Sequence, residues 1–427
     1  MGISNIIFVL ILIASAVLFT INIKKIINNI RLGRDLNRSD NASLRWKTMF
    51  RVALGQSKMV TRPFAAVLHI FVYAGFILIN VEMLEIVIDG IAGTHRVFKP
   101  YLGDFYFFII NFFEVLAVIV ALACAIFLIR RNFKKVKRFQ NPELKGWAKK
   151  DGNLILITEI CLMSALLIMN AADPAQSFLV SQYIQPILPS DVHSLHFIEQ
   201  GVWWFHIVGI LAFLNYLPYS KHLHIIWAFP NTYYSNLLPK GQFNNLESVT
   251  REVKLMLDPT ADPFAAQPAA EGTPQRFGAK DVTDLSWIQL MNAYTCTECG
   301  RCTSSCPANV TDKKLSPRKI MMDVRDRVEE VAAGIRKNGK EFTDGKSLLN
   351  DYITEEEIWA CTSCNACVQE CPVNIDPLSI IVDLRRYLVM EESKLPAALA
   401  TMNSNIENNQ APWQFSPSDR LNWVNEA

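Results

Sequence analysis

This sequence predicts an all-α protein in two unlike parts: a five-span transmembrane helical bundle, then a soluble, all-helical domain. Three observations carry that reading. Apolar residues crowd into the first 230 positions, in runs that reach the ~20 residues needed to cross a bilayer. Eight of the ten cysteines fall in two runs of one spacing. Beyond residue 285 the pattern is soluble, with helix-start signals at regular places.

Averages hide this division. The whole chain is 51% hydrophobic with a net charge of +2 and a mean hydropathy of +0.17, a balance that leaves no nucleic acid among its expected partners. Spans are expected at about 5–23, 63–88, 105–129, 153–172 and 199–228, making residues 1–231 a membrane domain. The first run has no basic residues ahead of it, and its positive charges follow it, so it reads as a retained anchor. Ten Lys and Arg fill the loop 24–62 and nine fill 130–150, against two and none in the opposite loops. That asymmetry puts the N-terminus outside and the C-terminal half in the cytoplasm of a prokaryotic inner membrane. The basic stretch 43–58 fits either a helix lying on the bilayer or a solvated loop. Glu82 and Glu85 near the outer end of span two, with Glu114 and Glu159, are intramembrane carboxylates. They suit proton carriage for a quinone or helix ends meeting water. Cys124 and Cys161 read as inert buried thiols. Trp203, Trp204, Tyr233 and Tyr234 read as interfacial aromatics.

Residues 232–284, Pro- and Ala-rich with no sustained helical period, are expected to form an extended linker or a strap over the next domain. The soluble domain follows over 285–392. Ser316 before Pro317 caps a helix to about 335, Thr354 with Glu357 forms a capping box, and Asp376 before Pro377 opens a helix to about 392. Each cysteine run is followed by such a capped helix, an internal repeat of about 65 residues.

The cysteines define the chemistry. Cys296, Cys299, Cys302 and Cys306, then Pro307, form C-x₂-C-x₂-C-x₃-C-P; Cys361, Cys364, Cys367 and Cys371, then Pro372, repeat it. This is the spacing with which bacterial two-cluster ferredoxins hold two 4Fe–4S cubanes, the fourth cysteine of each run serving the other cluster. The expected sets are Cys296, Cys299, Cys302 and Cys371 on one cluster, and Cys361, Cys364, Cys367 and Cys306 on the other. Zinc sites also use C-x₂-C pairs, but not three cysteines in register with a C-P.

Histidines decide whether electrons enter the membrane. On a continuous helix His206 and His224 share one face, 18 residues or about 27 Å apart, while His222 points away by about 160°. His69, six residues into span two, is level with His224, so His69 and His224 are the expected axial pair of a haem b. Intramembrane ionisable groups are expensive and usually functional, although a histidine can also serve as a polar link between helices. His206 is the candidate for a second haem, with His95, His193 or His196 as its partner.

The stretch 203–231, with W-W-F-H, Y-L-P-Y-S-K-H-L-H and P-N, resembles the haem-bearing membrane subunits related to the nitrate reductase gamma subunit. It is most similar to the version fused to iron–sulfur proteins of the heterodisulfide reductase type. Phe277-Gly-Ala-Lys280 through Trp287, T-C-T-E-C-G-R-C and L-S-P-R-K at 315–319 resemble the ferredoxin module of that group. The tail 393–427, through 409–413 and 418–423, resembles the bridge into a cysteine-rich CCG domain in single-chain relatives. With no C-C-G motif in the sequence, the resemblance implies a separate cytoplasmic CCG-type iron–sulfur subunit, or a similar oxidoreductase subunit, as partner. The implied function is a membrane-anchored electron-transfer subunit linking menaquinone or ubiquinone, haem b and two 4Fe–4S clusters to that partner. The competing expectation is a non-catalytic anchor or a redox sensor.

Overall fold

Membrane helices built from apolar runs account for the first half of the computed structural model. It describes residues 2–134, 136–173, 176–258, 260 and 276–426. Among these, five helices are long and apolar enough to cross a membrane. They are α1 (Ile3–Ile30), α3 (Pro63–Ala92), α4 (Asp104–Asn132), α5 (Trp147–Ala172) and α6 (Val192–Tyr216), with a short α2 (Ala42–Met49) between the first two. Local chemistry sets their starts. Pro63 occupies the first turn of α3, where its missing N–H loses nothing. Asp191 caps α6 by accepting from Ser194 N at 2.8 Å. Ile79, Ile110, Ala117, Val120, Leu166 and Ile207 form the dry centre of the bundle, with Phe8 of α1 against it.

The fifth span departs from expectation. Instead of running on to 228, its helix tightens over Leu217–Tyr219, and Ser220 is extended at φ −118°, ψ 151°. A new helix, α7 (His224–Tyr233), follows. Pro218 removes a backbone donor at this point. Asp151 of α5 then accepts from Ser220 Oγ at 2.6 Å and from the Lys221 backbone at 3.1 Å, which stabilises the break. The single-helix geometry expected for His206, His222 and His224 therefore does not hold.

The basic stretch after α1 is neither a bilayer-surface helix alone nor a loose loop. Helix α2 runs into a wider π-helical turn at Phe50–Leu54. Its Arg45, fully buried, donates to Asp40 at 2.6 Å and to the carbonyls of Tyr233 and Ser235 at 3.1 Å. That guanidinium clamps α2 to the end of α7.

The soluble domain is built on α8 (Trp287–Thr295), α9 (Pro317–Asn338) and α10 (Pro377–Met390), followed by α11 (Ala397–Asn409) in the tail. All three expected caps are present. Ser316 accepts from Lys319 N, Asp376 accepts from Ser379 N at 3.0 Å, and Thr354 and Glu357 bond reciprocally. Of the two forms expected for the linker, its end at 276–280 takes that of a strap, while part of its start is helical. Glu247–Leu257 is helical, and Phe277 and Ala279 already bond the soluble domain through Glu391 and Asp383 O. Positions 259 and 261–275, the core of the Pro- and Ala-rich stretch, lie outside the described residues. Beyond them Gly278 adopts φ +78°, and a Cβ there would meet Asp383 O at 2.2 Å, so only glycine lets the strap lie on α10.

The two halves share one hydrophobic core. Ile26 and Ile30 of α1, Leu223 before α7 and Ala228 within it pack in the same cluster as Leu290, Ile320, Val324, Ile381 and Leu384. A short parallel bridge reinforces this: Arg34 N donates to Leu285 O at 2.7 Å and Trp287 N to Arg34 O at 3.0 Å.

Candidate iron–sulfur and histidine centre

Each cysteine run is a loop shaped by two left-handed residues at matching positions. Glu298 (φ 54°) and Gly300 (φ 69°) follow Cys296 by two and four residues; Ser363 (φ 56°) and Asn365 (φ 62°) follow Cys361 in the same way. Such turns curl the backbone around its own thiols. Ser363 N lies 3.4 Å from Cys361 Sγ, and Ile375 N lies 3.3 Å from Cys371 Sγ, both donating. Gly300 is needed for space as well as for φ, since a Cβ there would meet Arg318 Nη1 at 2.4 Å.

The grouping of the thiols crosses between the runs. Cys296, Cys299, Cys302 and Cys371 line one small cavity together with Cys367 of the second run, Arg301, Arg318 and Pro372. Cys306 lies within electrostatic reach of Cys361 and Cys367. All eight cysteines are free thiols. Burial, with Cys299 nearby, pushes the Cys371 thiol up to about 11. Burial likewise raises Cys296 to about 12. Cys364, in contrast, is exposed.

The first cavity is pressed against the membrane domain. Lys221, beyond the break in span five, pairs with Glu298 between Cys296 and Cys299, and Arg325 of α9 holds the same carboxylate at 2.9 Å. Burial would raise the Glu298 pKa, but these two cations outweigh it and hold the group below the usual carboxylate range. Arg318, fully buried, bonds Glu143 at 2.8 Å and the Arg138 carbonyl at 2.7 Å in the loop after α4. Lys58 donates to Val368 O and Asn374 Oδ1, both at 2.9 Å, and Arg62 reaches Ser304 at 3.0 Å. Asn231 of α7 donates to Val373 O at 2.7 Å. Sequence reasoning missed Asp151, Lys221, Glu143 and Arg318 as positioning residues. Each lies far in sequence from its partner, so no local pattern marks the pairs.

Three histidines gather at this junction. The His222 and His224 rings are 5.6 Å apart and nearly perpendicular. His69, in the second turn of α3, lies within electrostatic reach of both and of Arg301 beside Cys302. His224 Nδ1 is 3.0 Å from Lys221 O, which fixes the ring and leaves Nε2 free. The His69 Nδ1 is buried without a hydrogen-bond partner. His222 is therefore not on a far side, as the single-helix geometry required; the break at Ser220 brings it beside His224. His206 is buried within α6, against the Leu162 backbone of α5. Among the described residues no ring or charge contact joins His206 to another histidine. His95 and His196 stand with Glu199 at the far end of the bundle, and His193 is exposed. Cys124 is buried, whereas Cys161 faces outward from α5. Tyr233 and Tyr234 sit at the junction, where Tyr234 meets Trp287 at 5.0 Å.

Residues 295–375 match the family model for a 4Fe-4S dicluster domain. Across its whole length the chain is 28% identical to a probable iron-sulfur-binding oxidoreductase, FadF, of Bacillus subtilis, of which it covers 61%. Over 92% of its length it is 26% identical to the EtfAB:quinone oxidoreductase of Syntrophomonas wolfei, covering 55% of that protein. A stretch of 28% of the chain is 32% identical to one of the subunits of a ferredoxin/F(420)H(2)-dependent CoB-CoM heterodisulfide reductase of Methanosarcina acetivorans, covering 60% of it. The chain thus spans little more than half the length of its first two relatives. No solved structure matches it. The chain thus carries a 4Fe–4S dicluster domain behind five candidate membrane spans and is similar to FadF and to heterodisulfide reductase subunits.

Proposed function

We propose that the chain passes electrons between a membrane quinone, two 4Fe–4S clusters and a cytoplasmic oxidoreductase partner. The observation that carries this reading is the seating of the Cys296, Cys299, Cys302 and Cys371 cavity against the membrane domain, with His69 close to Arg301 in its wall. Those four cysteines hold the membrane-proximal cluster, and Cys361, Cys364, Cys367 and Cys306 hold the other. Cys364 is exposed, so the second cluster faces the partner. A CCG-type iron–sulfur subunit fits that role, and the relatives include oxidoreductase subunits. The quinone link is supported by the relative whose name carries it.

His69 and His224 would hold a haem b at the junction, which supplies one-electron exchange. The fit rests on the His224 ring, oriented through Nδ1 with Nε2 free as an axial imidazole needs, and on His69, whose buried Nδ1 has no hydrogen-bond partner among the described residues. His206 would serve a second haem. Both strongly basic loops, 24–62 and 130–150, contact the soluble domain through Lys58, Arg62, Arg138 and Glu143, which supports a cytoplasmic placement of that domain. Reduced-minus-oxidised spectra of membranes after quinol addition test the reading. Quinol should reduce the clusters; a chain whose clusters report redox state without accepting electrons from quinol would be a sensor instead.

A further inference from the structure

At the end of the bundle remote from the soluble domain, α1, α3 and α6 enclose a cavity of about 540 Å³. Small-molecule sites are of this order, roughly 300–1,000 Å³, apolar-walled with a few placed polar groups. Here the wall is Phe8, Ile86, Met169, Trp203 and Trp204, with the Phe8 ring 5.4 Å from that of Trp203. The polar groups divide in two. Glu85 accepts from Phe98 N at 2.9 Å and Tyr106 Oη at 2.8 Å, and Asp89 accepts from the backbone of Arg96 at 2.7 Å and Val97 at 3.2 Å. Those carboxylates hold the fold. Glu82, one turn deeper, is only 4% exposed, and its Oε2 has no hydrogen-bond partner among the described residues.

Native structures leave few buried polar atoms unpaired, and each has a reason. Glu82 stands about 20 Å along α3 from His69, 13 residues at 1.5 Å each. At the cavity mouth His95, 63% exposed, lies 3.4 Å from Asp173 and 3.8 Å from Glu199, so titratable groups line the way from Glu82 to water. Aromatic walls, a buried oxygen able to accept or share a proton, and a polar route outward match a flat ring bearing two hydroxyls. We infer that this cavity binds the headgroup of a quinol or quinone, with Glu82 hydrogen-bonded to one ring oxygen. The inference rests on the quinone link proposed above, and names the site for it.

The two tryptophans supply the readout. The full chain, loaded with its clusters in lipid nanodiscs, is titrated with 2,3-dimethyl-1,4-naphthoquinone while tryptophan emission is followed. Wild type should show saturable quenching. The double variant Trp203→Phe, Trp204→Phe should lose that quenching, and Glu82→Leu should weaken binding at least about tenfold. Should Glu82→Leu fail to accumulate, Ile86→Trp, which fills the cavity without touching a polar group, should abolish saturation. Unchanged affinity in Glu82→Leu, or saturable quenching that survives Ile86→Trp or the double tryptophan variant, overturns the assignment. Quinol that reduces the clusters while wild type shows no saturable quenching also overturns it, yet leaves the quinone link standing. Saturable quenching with clusters that quinol never reduces upholds the cavity and removes the electron-transfer reading.

Discussion

Replacing Lys221 with Met should loosen the first cysteine loop from the membrane domain. Met keeps the apolar stem and removes the charge. Lys221 and Glu298 are 9% and 3% exposed at their side chains, so the pair is screened little by water. Stripping a buried charge of its partner costs about 3–5 kcal/mol. Here Glu298 keeps Arg325 at 2.9 Å, and Asp151, the other partner of Lys221 at 3.7 Å, keeps the hydroxyls of Tyr216 and Ser220. The expected loss is therefore below that range, about 2 kcal/mol, which raises the opened population of this loop roughly 30-fold. The assay is bleaching of iron–sulfur absorbance by an iron chelator, in the regime where opening and closing are fast relative to chelation. Glu298→Gln and the double variant complete a cycle, whose coupling should be about 1–3 kcal/mol. A bleaching rate unchanged in Lys221→Met, or a coupling under about 0.5 kcal/mol, would refute the idea that this ion pair holds cluster loop to membrane.

Other expectations follow from the same geometry. Cys306→Ser should damage the cluster of the second run and spare that of the first, as electron paramagnetic resonance of the two centres can show; the reverse pattern would break the crossed ligand assignment. His69→Ala and His224→Ala should each abolish the absorbance of the cytoplasmic-side haem, while His222→Ala keeps most of it, because the His224 ring is the one fixed through its Nδ1 to Lys221 O. Loss in His222→Ala with retention in His224→Ala would move the ligand to the neighbouring ring. Asp344, hydrogen-bonded by Arg327, titrates at about 2, below the ordinary carboxylate value. Its stabilisation is present above about pH 4 and lost as pH falls toward 2. Asp344→Asn should therefore narrow the stability difference between neutral pH and a pH near 2, read as the pH dependence of unfolding.

The architecture was legible because its signals are local. Apolar runs, a repeated cysteine spacing and capping residues each act within a few positions, and the helices at 317, 355 and 377 begin where Ser316, Thr354 and Asp376 cap them. What escaped sequence reading depends on partners far away in the chain. Pro within a membrane helix is tolerated when neighbours satisfy the freed backbone, so Pro218 alone does not declare a break. Asp151, 67 residues before Pro218, completes it by capturing Ser220 and Lys221. That break moves His222 beside His224, which helical-face counting cannot foresee. Arg45 is similar. A basic residue in a basic loop reads as solvated until the carbonyls of Tyr233 and Ser235 are in view.

The core shared between α1 and the soluble domain sets a timetable for biosynthesis. Ile26 and Ile30 leave the ribosome early, but Leu290 and Ile320, which cover them, lie about 260 to 290 residues downstream. At roughly 5–20 residues per second, that is an interval of about 13 to 60 seconds. Throughout it the end of the first helix is a sticky apolar surface at the membrane border, and the loop carrying Arg34 lacks its strand-like mate. Chaperone capture or an in-plane resting position for that segment becomes a requirement of maturation. Cluster insertion is tied to the same clock, since the first cysteine loop closes against Lys221 once the later half has arrived.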